Sequence, residues 1–111
     1  MKSYYVDELG RDQVEAVAAH LTERGYTGPI EGIYWLRVPE NLLTEEQQEH
    51  LHSCGPFIMS LETGRDWLKL ELLVRATQTI RCTCVDYASR EQQAHALELL
   101  EQTLQSLNIA P

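Results

Sequence analysis

The strongest constraint on the fold of this chain is an apolar alternation of period two in three successive segments between residues 57 and 85. Phe57, Met59 and Leu61 alternate with Ile58, Ser60 and Glu62. Leu68, Leu70, Leu72 and Val74 alternate with Lys69, Glu71, Leu73 and Arg75, and Ile80, Cys82 and Cys84 with Arg81, Thr83 and Val85. Successive side chains of a strand point to opposite faces, so this pattern predicts an antiparallel meander with one buried face. Parity narrows the pairing. For Leu61 and Leu68 to share a face, the first hairpin loop must hold an even number of residues, and Gly64-Arg65 is the expected turn. For Val74 and Cys82 to share a face, the second loop must be odd, with Thr77 to Thr79 as the candidate. This register pairs Leu61 with Leu68, Met59 with Leu70, Val74 with Cys82 and Leu72 with Cys84, and it sets Arg75 opposite Arg81.

Helical periodicity flanks the meander. Val14, Val17, Ala18 and Leu21 recur at helical spacing over residues 11–24, and Gly25 supplies a left-handed stop. Ser89 and Gln92 have the form of a capping box, followed by an apolar stripe of Ala94, Leu97, Leu100, Leu104 and Leu107. A second box, Thr44 with Gln47, opens a short and mostly polar helix running to about His52, expected on the surface. Ile33 to Val38 is aromatic and β-branched and ends at Pro39, which marks a strand; Lys2 to Val6 reads as a shorter one. The expected fold class is α+β: a two-layer sandwich with a four- or five-stranded, mainly antiparallel sheet, two helices packed on one face and a short surface helix. Residues 1–111 form a single domain of this kind.

Charge bears on partners. Seventeen acidic residues against nine Lys and Arg give a net charge of −8. Phosphate contacts supply most of the affinity of nucleic-acid binders, so this acidic balance argues against nucleic acid and against anionic membrane surfaces. The N-terminal stretch lacks the apolar segment of a secretory signal, and no apolar run approaches the ~20 residues of a membrane helix. With three cysteines, an odd and sparse count, a disulfide framework is not expected and a cytoplasmic location is.

No motif specific to a reaction is present, so no catalytic residue is assigned and an enzymatic role is disfavoured. Cys82 and Cys84 lie two apart, and with Cys54 and His50 or His52 they offer the thiolate and imidazole donors that suit zinc. In the register above, Cys54 lies two strand spacings, about 10 Å, from the Cys82 segment. Small buried core residues are therefore the simpler expectation for the thiols, with no cofactor. The outer sheet face offers two further candidates. Arg75 and Arg81, with Arg37, could hold a small anionic ligand, since like charges set opposite each other repel. Ile58, Leu73, Val85 and Trp67 form an apolar group that a second copy of the chain would cover, giving a homodimer. The functional expectation is a small, acidic, cytoplasmic, non-enzymatic, self-associating domain that binds a protein or a ligand. Its alternative is a metal-binding or thiol-active protein using Cys54, Cys82 and Cys84 with His50 or His52. An enzyme pocket of Arg37, Arg75, Arg81, Trp35 and Tyr87 ranks last, because it depends on a strand order the sequence leaves open.

Overall fold

The computed structural model describes residues 2–110. In chain order the elements are β1 (Ser3–Val6), α1 (Arg11–Glu23), β2 (Ile33–Arg37), a 3-10 turn (Glu40–Leu42), α2 (Glu45–Glu49), α3 (Leu51–Cys54), β3 (Phe57–Thr63), β4 (Leu68–Glu71), β5 (Leu73–Ala76), β6 (Asp86–Tyr87) and α4 (Arg90–Ser106). The six strands form one antiparallel sheet beside the helices, an α+β sandwich as the sequence predicts. Among the described residues no helix is long and apolar enough to cross a membrane.

The sheet is simpler than six labels suggest. β4 and β5 are one run broken at Leu72, and both pair with β3, at Leu61–Thr63 and at Phe57–Ile58. β2 lies on the other side of β3. β1 flanks β4 and β6 flanks β5. The break leaves no orphaned backbone group: the Leu72 N–H donates to the Lys2 carbonyl at 2.9 Å, and its carbonyl accepts from Ala88 at 3.0 Å.

The alternation resolves into rows. Tyr4, Leu70, Leu61 and Tyr34 lie side by side across the four strands on the inner face. Tyr5, Lys69, Glu62 and Ile33 form the adjacent row on the outer face. Against the inner row pack Val14, Val17 and Leu21 of α1 and Ala96, Leu100 and Leu104 of α4. The face is decided by hydrophobic burial, because a one-residue slip would turn every leucine of β4 to the outside.

The predicted register differs in detail. Leu61 faces Leu70 rather than Leu68, and Leu68 faces Thr63. The loop is even, as parity requires, but the two-residue turn is Arg65-Asp66, closed by the Gly64 N–H donating to the Trp67 carbonyl at 2.8 Å. The Trp67 ring lies over Gly64 where a Cβ would stand, so glycine is required by close approach. The third segment departs further. Residues 80–85 form no strand, and Val74 faces Asp86, not Cys82. Arg81 consequently does not oppose Arg75, whose strand partner is Ile58.

The helices also carry a correction. The buried side of α4 is Gln92, Ala96, Leu100, Thr103 and Leu104, while Ala94 is exposed. The stripe is rotated because Gln92 and Thr103 enter the interior with their polar atoms bonded. The segment after Thr44 is two short helices, and it is not merely superficial: Gln47 and Cys54 are buried. α1 matches its expectation, and Gly25 ends it at φ 82°.

Candidate metal centre

Helix geometry sets the first half of the site. His50 caps α2 and opens α3, and Cys54 ends α3 one turn later. Residues four apart share a helix face, so the His50 ring and the Cys54 thiol point the same way. Cys54 Sγ lies 3.8 Å from His50 Nδ1. His52, two residues on, is exposed, and its ring is not part of the group.

The second half arrives from the loop after β5. Ala76 pairs with Phe57, which brings the chain beside the start of β3 and thus beside Cys54. The N–H groups of Thr77 and Gln78 then donate to the Cys54 carbonyl at 3.1 and 3.0 Å. The Gln78 side chain donates to the carbonyls of Gly55 and His52. These bonds fold the loop back over α3 instead of letting it extend the sheet. At its far side a turn closes with the Val85 N–H donating to the Cys82 carbonyl at 3.1 Å, and Cys82 Sγ comes within 3.1 Å of His50 Nδ1. The sequence argument put Cys54 about 10 Å from the Cys82 segment on strand spacing. It fails because residues 80–85 are not a strand.

The outcome is a four-residue cluster. His50, Cys54, Cys82 and Cys84 hold their donor atoms within 4.8 Å of one another. A tetrahedral zinc with Zn–S about 2.3 Å and Zn–N about 2.0 Å places donors roughly 3.6–3.8 Å apart. The cluster therefore needs only sub-ångström to ångström adjustments to fit that ion. Cys54 and Cys84 are buried, while His50 and Cys82 are half-exposed.

The thiols do not share one protonation tendency. Cys82 is lowered from 9.0 to about 7, first by the backbone N–H of Cys84 and then by its thiol, with smaller help from Cys54 and His50. Cys84 is pushed up to about 12, first by burial and then by the adjacent sulfurs of Cys82 and Cys54. Crowded sulfurs resist joint ionisation, and a divalent cation among them reverses that balance.

Two glutamines buttress the site. Gln47 and Gln92 each close the capping box seen in the sequence, accepting from the N–H of Thr44 at 3.0 Å and of Ser89 at 2.9 Å. Both are 1% exposed. Gln92 Nε2 donates to Gln47 Oε1 at 2.9 Å and to the Leu42 carbonyl at 2.9 Å, and Gln47 Nε2 donates to the Cys84 carbonyl at 3.1 Å. The Thr83 hydroxyl also bonds the Glu46 carboxylate. Sequence reasoning identified both boxes but missed that their glutamines bridge α2, α4 and the cysteine loop. The signal available was the box itself, since its third residue must turn back toward the chain.

The other sequence candidates are partly brought together. Arg75 and Arg81 line one open groove of about 1060 Å³ on the outer face, with Ile30, Ile33, Trp35 and Val85. Arg37 lies beside a neighbouring hollow with Trp35, Ile58 and Thr77. Arg75 already holds Glu71 in a two-point ion pair at 2.7 and 3.1 Å, which keeps its guanidinium charged and occupied. Of the proposed interface residues, Leu73, Val85 and Trp67 are half-exposed, but Ile58 is 4% exposed and offers little surface. Trp67 packs near Tyr5 at the hairpin end. Tyr87 is exposed and does not line the groove.

No protein-family model, curated protein or solved structure matches the chain.

Proposed function

We propose that this protein binds a zinc ion through His50 Nδ1 and the thiolates of Cys54, Cys82 and Cys84. The ion fastens the 77–85 loop to α3. One observation carries the reading: four soft and borderline donors, from a helical turn and from a loop about thirty residues away, converge within 4.8 Å. Cys54 and Cys84 also belong to the hydrophobic core, with Cys82 packed against it, but packing alone does not require an imidazole edge among the thiols. Three thiolates with one imidazole suit zinc in tetrahedral geometry.

Four protein donors fill that coordination sphere. A catalytic zinc keeps a position for water, so this ligand set favours a structural, non-enzymatic role. The core around Leu61, Leu70 and Leu100 is built mainly of aliphatic and aromatic side chains, with Cys54 and Cys84 at the end where the site lies. Zinc in this reading rigidifies one end of the molecule instead of creating the fold. The cytoplasm suits such a site, because thiols stay reduced there.

The outer face favours a second, compatible reading, self-association. Ile30 and Ile80 are 61% and 89% exposed beside the Trp35 groove. A twofold dimer joining these faces would cover them.

Native mass spectrometry of untagged protein, purified without chelator from zinc-replete cells, tests both readings. One zinc per chain is expected, retained in His52→Ala and lost or sharply reduced in Cys54→Ser and His50→Ala. A metal-free chain indifferent to these substitutions contradicts the zinc site. A dimer mass supports pairing of the outer faces, and a monomer at micromolar concentration overturns it.

A further inference from the structure

We propose that the cluster is an oxidation-sensitive metal switch: hydrogen peroxide reacting at Cys82 drives a disulfide to Cys54 or Cys84 and expels the zinc. The proposal rests on the zinc reading above and adds the regulation of that site.

The geometry grades access to the sulfurs. Cys54 and Cys84 are 7% and 1% exposed, whereas Cys82 is half-exposed at the mouth of the cluster. An oxidant arriving from water meets Cys82 first. Both buried sulfurs are within 4.8 Å of it, so a resolving thiol is present whichever one reacts. A disulfide needs sulfurs about 2.05 Å apart, a closure of at most roughly 2.8 Å for sulfurs within 4.8 Å of one another. Val85 holds the Cys82 carbonyl and Gln47 the Cys84 carbonyl, so the motion needed is a turn of the half-exposed Cys82 side chain toward its resolving partner.

The electrons balance within the step. The Cys82 thiolate attacks one peroxide oxygen, the O–O bond breaks, and Cys82 becomes a sulfenic acid as hydroxide leaves. The second thiolate then attacks Cys82 Sγ, forms the S–S bond and displaces the sulfenic oxygen as a second hydroxide. Two electrons pass from the two sulfurs to peroxide, and the two hydroxides take up two protons to become water. The zinc is left with one thiolate and His50, too few donors to hold it. A dithiol returns two electrons and two protons and restores the site.

The hinge for this cycle exists without metal. Thr77 and Gln78 bind the Cys54 carbonyl, Gln78 reaches His52 and Gly55, and Gln47 reaches Cys84. The loop is therefore tethered at both ends by hydrogen bonds that do not involve the ligand atoms. A Cys82–Cys84 disulfide frees the middle of the loop from α3, a Cys82–Cys54 disulfide keeps it fastened there, and either leaves the fold in place.

The test uses zinc-loaded full-length protein and hydrogen peroxide. Metal release is read with a chromogenic chelator, the linkage by non-reducing peptide mapping, and folding by far-ultraviolet circular dichroism. The expected result is zinc release in step with a Cys82 disulfide, unchanged helical signal, and recovery on adding dithiothreitol and zinc. Cys82→Ser, checked for folding, should form a disulfide under the same peroxide at least ~10-fold more slowly, as read by peptide mapping. Zinc that stays bound under peroxide, or leaves with sulfinic acid and no disulfide, overturns the switch while leaving the zinc site standing. Protein that carries no zinc before peroxide is added overturns both.

Discussion

At the scale of single residues, the site depends on spacing and on two buried amides. His50 and Cys54 meet because four residues make about one helical turn, and that spacing was open to reading in the sequence. What hid it was the assumed strand on the other side. The glutamines were hidden for a different reason: a periodicity argument scores Gln47 and Gln92 as polar and assigns them to the surface. Both are inside because every polar atom the amides offer finds a partner. Gln47→Ala removes an acceptor for the Thr44 N–H and for Gln92, and a donor to the Cys84 carbonyl. Thermal or urea unfolding should show a loss of about 1–3 kcal/mol, the usual cost of stranding buried polar groups. Competition with a zinc indicator should show zinc affinity falling roughly 10- to 100-fold, because the Cys84 backbone is no longer oriented. An exposed control, Gln102→Ala, should change neither by more than about 0.5 kcal/mol. Equal behaviour of the two variants contradicts the buttressing role.

At the scale of elements, the loop from Thr77 to Val85 is where pattern and structure part. An alternating Cys-Thr-Cys is the same string whether the residues form a strand or present two thiols to one point. Period two therefore could not distinguish them. The decision came from the start of β3, whose pairing with Ala76 delivers the chain to the Cys54 carbonyl, and from Gln78, which has acceptors there. The other elements were legible to differing degrees: burial alone decides the faces of α1, β3 and the β4–β5 run, whereas β2, apolar on both sides in sequence, was legible as a strand but not in its buried face. If zinc pins the loop, chelation should raise amide hydrogen exchange in residues 79–85 and 50–54. The central strands, with Leu61 and Leu70 at 1% and 0% exposure, should remain protected. Exchange unchanged in the loop, or raised throughout the protein, would run against a local metal clamp.

At the scale of the whole molecule, one side is closed and the other open. The helices cover the inner face, and the chain carries a net charge of −8. The outer face keeps a broad groove beside the loop that carries Cys82 and Cys84. Layer class and the buried sheet face were readable from periodicity, whereas strand order and the meeting of α3 with the loop were not. Both depend on contacts between residues far apart in the chain, which no local pattern reports. The most direct test of the central claim is zinc-edge X-ray absorption on the purified protein, which reads the donors around the metal. The zinc reading predicts three sulfur scatterers at about 2.3 Å and one nitrogen at about 2.0–2.1 Å. A shell of oxygen and nitrogen alone, or absorption no stronger than trace metal, would contradict it.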